Sequence, residues 1–357
     1  MNDRDDAAPW ARGERIARLL ADVQITSPMA FRFGSGPQIS AGDVVPTAPG
    51  AGLTPGVAAL RDALGTALYA AAYMRDYRGP GYDPASMRRK VVADPAFLKR
   101  LDARNPSRAA WEPGWRVFSR DLDGSVHASK GDRAMRLPPG RYAAVGTPRS
   151  PAVGDSVERW RDRSSLTHQA GYYYAFGEAP PSDYDLARIG RLYFDGDAES
   201  AAWLLGELAP LLNRFGIPFW FKCPVDPAAF DRLDASVLYV ARRHVPSLIG
   251  LLVPLASDFS RRLRGGVPLW TVPLVAGVGG ADDPGTGESF GQSRCALFAA
   301  GLVDAWARGH QDPASRAGAV AARFRAAGLA AAQPHLALGL VDVYPALTSS
   351  AVRETAA

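Results

Sequence analysis

The chain has 357 residues, 47% hydrophobic and 22% charged, with a formal net charge of +5. This composition excludes an intrinsically disordered protein, and two cysteines are too few for a disulfide scaffold or a Cys-based structural zinc site. No apolar run of about 18 residues predicts a membrane span, no basic stripe predicts nucleic-acid binding, and the charged N-terminus lacks a secretory core. We therefore expect a cytoplasmic protein with neither a membrane nor a nucleic-acid partner.

Residues 1–150 are predicted to form an accessory region that is mainly helical and carries one β-hairpin. Helices are expected where apolar residues recur at helical spacing, a loop where Gly, Pro, Ser and Thr dominate, and a hairpin where alternating residues flank a turn. In chain order these elements are helices over 10–22 and 56–77 separated by a loop over 23–55, a helix over 94–101, a hairpin over 115–130 and a Pro-rich connector over 137–152.

Residues 151–345 are predicted to form the catalytic domain, an α+β fold in which helices cover a mixed sheet. Strong β-formers and period-2 alternation indicate strands, and longer amphipathic segments indicate helices. The predicted strands span 171–176, 188–195, 217–223, 236–240 and 269–278, and the predicted helices span 198–215, 227–233, 245–263, 289–308 and 313–332.

Lys222 is the first candidate for chemistry. The chain has only four lysines, and Lys222 is the only one in the last 227 residues. It lies in the apolar strand 217–223, where burial would lower the pKa of its amine and make it a general base near neutral pH. The alternative is a lysine that extends from the strand end to water.

Three arginines in structured, apolar contexts are candidate phosphate ligands, because a guanidinium binds phosphate in a bidentate manner and is always charged. The last of them follows a Gly-rich loop and a helix start, which would add backbone N–H donors. The alternative is that they form unrelated ion pairs with nearby carboxylates. The arginines are Arg191, Arg232 and Arg294, and the carboxylates are Asp195, Asp234 and Glu288.

Three side chains are candidate proton donors. Tyr193 shares a strand face with Arg191, Tyr239 lies in the middle of its strand, and His168 precedes the aromatic strand 171–176. The alternative is that the tyrosines only pack in the sheet and that His168 is a loop histidine without a role.

The order of these motifs along the chain resembles the Hop-type domain of plant-pathogen type III effectors. That domain also occurs in actinomycete peptide-modifying clusters, where it looks like the lyase half of the split class V lanthipeptide and thioamide-peptide dehydration machinery. The family is distantly related to bacterial phosphothreonine lyases. The resemblance covers about 165–310 and rests on Arg191-Leu-Tyr193, Pro218-Phe-Trp-Phe-Lys222, Phe230 to Tyr239, and Gly287 to Arg294.

The resemblance implies that the protein is a lyase acting on phosphoserine or phosphothreonine in a ribosomal precursor peptide. Lys222 matches the family's general base, and the three arginines match its phosphate-binding positions. Arg191 is also the candidate to stabilise the enolate-like intermediate. Tyr239 matches a site tyrosine of the family. Tyr193 stands where the family has an acid histidine, so His168 is the candidate for a substitute acid.

The resemblance further implies a separate kinase-like partner and a reaction that needs neither a metal nor an organic cofactor. The first 150 residues would bind the leader peptide or the kinase, and the hairpin over 115–130 offers an edge for a peptide strand. Two other functions stay open: a non-catalytic peptide-binding or kinase-activating subunit, and an effector-like lyase that acts on host phosphoproteins.

Overall fold

The computed structural model describes residues 13–44, 55–79, 90–146 and 149–347. Helices and antiparallel sheets share two large cores, so the predicted α+β class is confirmed. None of the helices described in these ranges is long and apolar enough to cross a membrane.

The N-terminal region contains more strand than its composition predicts. Helix α1 (Glu14–Asp22) runs directly into the antiparallel strands β1 (Val23–Ser27), β2 (Ala30–Phe33) and β3 (Ile39–Ser40). The predicted loop over 23–55 is therefore wrong for its first half. Alternate apolar side chains such as Phe31 and Phe33 are buried in the core, and this burial outweighs the turn-forming composition of the segment.

Helix α2 (Pro55–Leu68) continues as one turn of π-helix (Tyr69–Tyr73), within the predicted helix over 56–77. Helix α3 (Pro95–Arg104) begins after Asp94, whose carboxylate accepts hydrogen bonds from the backbone N–H groups of Ala96 and Phe97. Asp94 is therefore an N-cap, as predicted. Isolated π turns often occur at functional sites, and this one faces the cavity described below.

A five-stranded antiparallel sheet follows, in the order β6-β5-β4-β8-β7. The pairing of β4 with β5 confirms the predicted hairpin, whereas β7 lies within the predicted connector. Strand β8 lies beyond residue 150, so the expected domain boundary falls inside this sheet. The strands are β4 (Ala110–Arg120), β5 (Val126–Lys130), β6 (Arg133–Leu137), β7 (Tyr142–Ala144) and β8 (Ser156–Arg161).

The second half of the chain is built on a seven-stranded sheet in the order β14-β15-β11-β13-β12-β10-β9. All its pairings among the described residues are antiparallel, so the expectation of a mixed sheet is wrong. The reason is that β13 inserts between β11 and β12. The strands are β9 (Ser164–Ser165), β10 (Tyr172–Phe176), β11 (Ile189–Phe194), β12 (Phe219–Pro224), β13 (Ser236–Ala241), β14 (Val272–Val275) and β15 (Val278–Asp282).

Helices cover both faces of this sheet. One face places Leu192, Phe221 and Leu238 in a core with α5 and its neighbours, while Tyr193 and Val237 on the other face share a core with α2 and α8. The predicted helix over 245–263 is divided into two helices by a short 3-10 turn. The helices of this half are α4 (Asp183–Ala187), α5 (Ala198–Arg214), α6 (Val245–Leu252), α7 (Ala256–Arg262), α8 (Phe290–Ala307) and α9 (Pro313–Ala326).

Candidate functional site

The strand register collects the predicted residues on one face of the seven-stranded sheet. Lys222 pairs with Tyr174 on one side and with Val237 on the other, and Val237 in turn pairs with Tyr193. Two residues further along these strands, Tyr239 pairs with Arg191. Because side chains alternate along a strand, these residues project from the same face. All of them except Tyr174 line a cavity of about 390 Å³, which we call the lysine pocket.

The Lys222 ammonium group lies against aromatic rings. Its Nζ is 3.9 Å from the ring centroid of Tyr172 and 5.9 Å from that of Tyr174. Among the residues that the structure describes, none forms a hydrogen bond or an ion pair with Nζ. Burial, together with the charges of Arg232 and Arg191, lowers the pKa of Lys222 to about 8, although Asp234 opposes the shift. The predicted decrease in pKa is therefore confirmed.

Arg232 is held from three sides. Its Nε and Nη2 donate to the two carboxylate oxygens of Asp234, at 2.5 and 2.7 Å. Nη2 also donates to the hydroxyl of Tyr69 at 3.1 Å, and Nη1 donates to that of Tyr172 at 3.3 Å. The alternative ion pair with Asp234 therefore exists. It places a fixed, largely neutralised guanidinium in the wall of the lysine pocket.

Arg191 is nearly buried and points along the sheet towards Asp283. Its Nε donates to Asp283 Oδ2 at 2.8 Å, and its Nη2 binds the same oxygen. Its guanidinium carbon lies 5.3 Å from the ring centroid of Tyr239. The alternative partner Asp195 instead pairs with Arg264. Since Nε and Nη2 donate to Asp283, Nη1 can donate a hydrogen bond to an oxygen atom of a bound substrate.

Two tyrosine hydroxyls of the pocket, those of Tyr193 and Tyr239, stay protonated. Tyr193 is buried, and burial raises the pKa of its hydroxyl while Arg191 partly opposes the shift. Its oxygen has no hydrogen-bond partner in good geometry, although the Tyr73 hydroxyl is close enough to influence its pKa. Burial likewise raises the pKa of Tyr239 well above its ordinary value. A protonated hydroxyl can donate a hydrogen bond or a proton to an oxygen in the pocket.

His168 lies at the edge of the site and is exposed. Its ring packs against Tyr174 and Phe176, with centroid distances of 4.5 and 5.7 Å. Burial against these rings and the charge of Lys222 lower its pKa below the ordinary value. A histidine with a lowered pKa is neutral at pH 7 and is therefore a poor proton donor.

Arg294 is not brought into the lysine pocket, which corrects the prediction of a third phosphate ligand. It is buried, and its Nε and Nη2 donate to the carbonyls of Pro334 and Leu336 at 2.8 Å each. No carboxylate among the described residues pairs with it, so the alternative pair with Glu288 is not formed either. On the helix, position 294 projects to the side of Phe290, whose ring Arg294 contacts, whereas Ser289 and Gln292 face the pocket.

The predicted set misses other side chains of the pocket, among them four that come from two helical segments. Tyr69 and Tyr73 come from the π turn and stack on each other with centroids 5.2 Å apart. Ser289 and Gln292 come from the first turn of α8, where they form a capping box. The Ser-x-x-Gln spacing signals this helix start in the sequence, but no local pattern places Tyr69 next to a strand more than 100 residues away.

The donor set of the pocket consists of cations, phenols and ion-paired carboxylates. No group of three or more His, Cys, Asp or Glu side chains that could hold a metal ion occurs within the described ranges. The arrangement instead combines one amine that can lose its proton near neutral pH, the guanidinium groups of Arg191 and Arg232, and the protonated hydroxyls of Tyr193 and Tyr239. Such a set can remove a proton from carbon and bind an anionic group at the same time.

Comparison with known proteins gives a family match over part of the chain. The model of the HopA1 effector protein family matches residues 164–336. This range contains every pocket residue on the sheet and on α8, but it excludes Tyr69 and Tyr73. No curated protein matches the chain.

Two solved structures are similar to the chain, both of effector proteins from Pseudomonas syringae. The effector of pathovar tomato strain DC3000 is 17% identical with a TM-score of 0.42, and the match covers 75% of this chain and 87% of that one. The effector of pathovar syringae strain 61 is 14% identical with a TM-score of 0.39, and the match covers 76% and 88%.

Proposed function

We propose that the lysine pocket is the active site of a lyase that eliminates phosphate from phosphoserine or phosphothreonine in a peptide. The observation that carries the proposal is the unpaired Lys222 amine, whose pKa is about 8, beside two fixed arginines. A lysine held in this way is a base that works near neutral pH, and an arginine in its place would stay charged. The residue order that resembles the Hop-type lyases supports the same reaction.

In the proposed reaction, neutral Lys222 Nζ takes the α-proton of the phosphorylated residue. The electrons of the broken C–H bond form the Cα–Cβ double bond, and the Cβ–O bond breaks with its electron pair leaving on phosphate. The products are dehydroalanine or dehydrobutyrine, inorganic phosphate and protonated Lys222. The reaction as written needs no oxidant, reductant or additional group.

The guanidinium groups would bind the phosphate and the developing negative charge. Nη1 of Arg191 is not used by Asp283, and Arg232 contributes positive charge from a fixed position. The start of α8 adds the positive end of a long helix next to Ser289 and Gln292. Donors held in place before the reaction stabilise a transition state more than donors that must reorganise.

Tyr193 is the proposed proton donor to the departing oxygen, because its hydroxyl is buried, protonated and free to donate. Tyr239 packs against Arg191 and keeps that guanidinium in place. We assign His168 a peripheral role, since it is exposed and its pKa is lowered. As a neutral ring next to Tyr174, it helps to exclude water from Lys222.

We further propose that the substrate is a ribosomal precursor peptide phosphorylated by a separate kinase-like protein, in lanthipeptide-type biosynthesis. The support is the resemblance of the motifs around Lys222 and Arg232 to the lyase half of those systems. An effector-like lyase acting on host phosphoproteins is the second candidate, and it is favoured by the family match to effectors. Both candidates use the same chemistry in the lysine pocket.

A non-catalytic peptide-binding or kinase-activating subunit is the third candidate. It is favoured by the ion pairs of Arg232 and Arg191 with carboxylates, which reduce the positive charge available to a phosphate. The purified protein should be mixed with a synthetic phosphoserine peptide in the absence of a kinase. Release of phosphate together with dehydroalanine in the mass spectrum supports the lyase, whereas binding without release supports the non-catalytic subunit.

A further inference from the structure

A second cavity lies next to the lysine pocket and has no role in the proposed chemistry. It has a volume of about 710 Å³ and is lined by α2, α8, the C-terminal end of α9, and loop residues from 284–288 and 337–338. We call it the helix groove. Its volume is in the range of ligand sites in proteins.

The helix groove adjoins the lysine pocket along both of its helices. On α8, Gln292 lines both cavities. On the α2 side, Gly65 and Thr66 line the groove, and Tyr69, one turn further along the chain, lines the pocket. A chain segment that lies in the groove therefore ends next to the lysine pocket, with Gln292 between the two cavities.

The chemistry of the groove fits a polypeptide of mixed character rather than a small anion. Its lining combines small and apolar residues such as Ala300 and Leu297 with polar residues such as Gln292. Two of the charged residues at its rim already have partners of opposite sign: Arg61 contacts Asp62 at 3.3 Å, and Arg323 pairs with Asp304 at 2.6 Å. The rim therefore has little free charge with which to select an anion.

Arg294 stabilises one wall of this groove. Its hydrogen bonds to the carbonyls of Pro334 and Leu336 fix the segment that leads to Ala337 and Leu338. Leu338 is 67% exposed at the rim. A partner that covers the groove would remove this side chain from water.

From the position of the groove beside the lysine pocket, we infer that the helix groove binds the peptide segment that flanks the phosphorylated residue of the substrate. The inference rests on the proposed function, since it assigns the groove to the same substrate. The flanking segment would provide binding energy remote from the reacting atoms and hold the phosphorylated residue above Lys222. Substrates that lack the segment would bind weakly even though they carry the reacting group.

The test uses two probes and two matched substitutions on α8. The long probe is a fluorescent Ala/Gly/Ser-rich peptide of about twelve residues with a central phosphoserine, which spans roughly 40 Å when extended. The short probe is N-acetyl-phosphoserine N-methylamide, which cannot reach the groove. Ala296→Trp fills the groove from an exposed position, and Ala307→Trp places the same side chain at an exposed position at the far end of α8.

Ala296→Trp should raise the Kd of the long probe, measured by fluorescence anisotropy, about tenfold, while Ala307→Trp leaves it unchanged. Phosphate release from the short probe should be the same in both variants as in the native protein. An unchanged Kd in Ala296→Trp, or equal weakening by both substitutions, would overturn the inference. Because the Kd needs no turnover, a native protein that releases no phosphate refutes the proposed function while the groove is still tested.

Discussion

Replacing Lys222 by methionine should make the protein more stable at neutral pH. The folded protein holds the Lys222 ammonium in surroundings that lower its pKa from 10.5 to about 8. At 1.36 kcal/mol per unit this shift corresponds to roughly 3 kcal/mol against the charged form. Because the side chain is only partly buried, we expect Lys222→Met to raise the free energy of unfolding by about 1–2 kcal/mol. Methionine keeps the apolar stem and removes the charge.

The stability that Lys222→Met gains over the native protein should decrease as the pH rises from about 8 to 10.5. Below pH 8 the amine is charged in both the folded and the unfolded chain, so the folded state carries the full free-energy cost of holding a charged amine in the pocket. Between about pH 8 and 10.5 the folded state loses its proton first, and the penalty disappears. Urea unfolding of the native protein and of Lys222→Met at pH 7 and at about pH 10.5 measures the difference. A stability difference that is the same at both pH values would refute the lowered pKa.

Three further predictions follow from the geometry of the site. The kcat/KM for a phosphopeptide should rise about tenfold per pH unit up to about pH 8 and then level off, and the kcat profile should be displaced to higher pH because bound phosphate raises the pKa of Lys222. Arg191→Lys should weaken binding of the phosphopeptide about tenfold relative to binding of the unphosphorylated peptide, as titration would show. Arg294→Ala should lower the free energy of unfolding by about 2–4 kcal/mol in urea, while the ratio of the two peptide affinities stays unchanged. Tyr69→Phe removes a hydroxyl from Arg232 and should raise KM several-fold with little change in the midpoint of thermal unfolding.

Local sequence patterns predict most of the second half of the fold. Alternation around Lys222 and Tyr239 identifies their strands, and the register that pairs Tyr239 with Arg191 follows from burying one face of each strand. The strands at 23–40 are missed because turn-forming residues dominate their composition. Their stability comes from burying Phe31 and Phe33 against distant helices, which a local pattern does not reveal.

The site is predicted in part for the same reason. Lys222 and Arg232 are found because they are charged residues in apolar surroundings, and that contrast is visible in the sequence. Arg294 has the same signal, but its partners are backbone carbonyls 40 or more residues away along the chain. Tyr69 has no signal at all, since a tyrosine on an Ala-rich helix looks like an ordinary core residue until the fold places it beside Arg232.

The most direct test of the proposed base is elimination by Lys222→Arg, which keeps a positive charge in the pocket but cannot lose its proton near neutral pH. The native protein and the variant are given the same phosphoserine peptide without a kinase, and phosphate and dehydroalanine are measured together. We predict that the native protein forms both products, while Lys222→Arg still binds the peptide and forms neither. Dehydroalanine at the native rate in Lys222→Arg would contradict the role of Lys222 as the base.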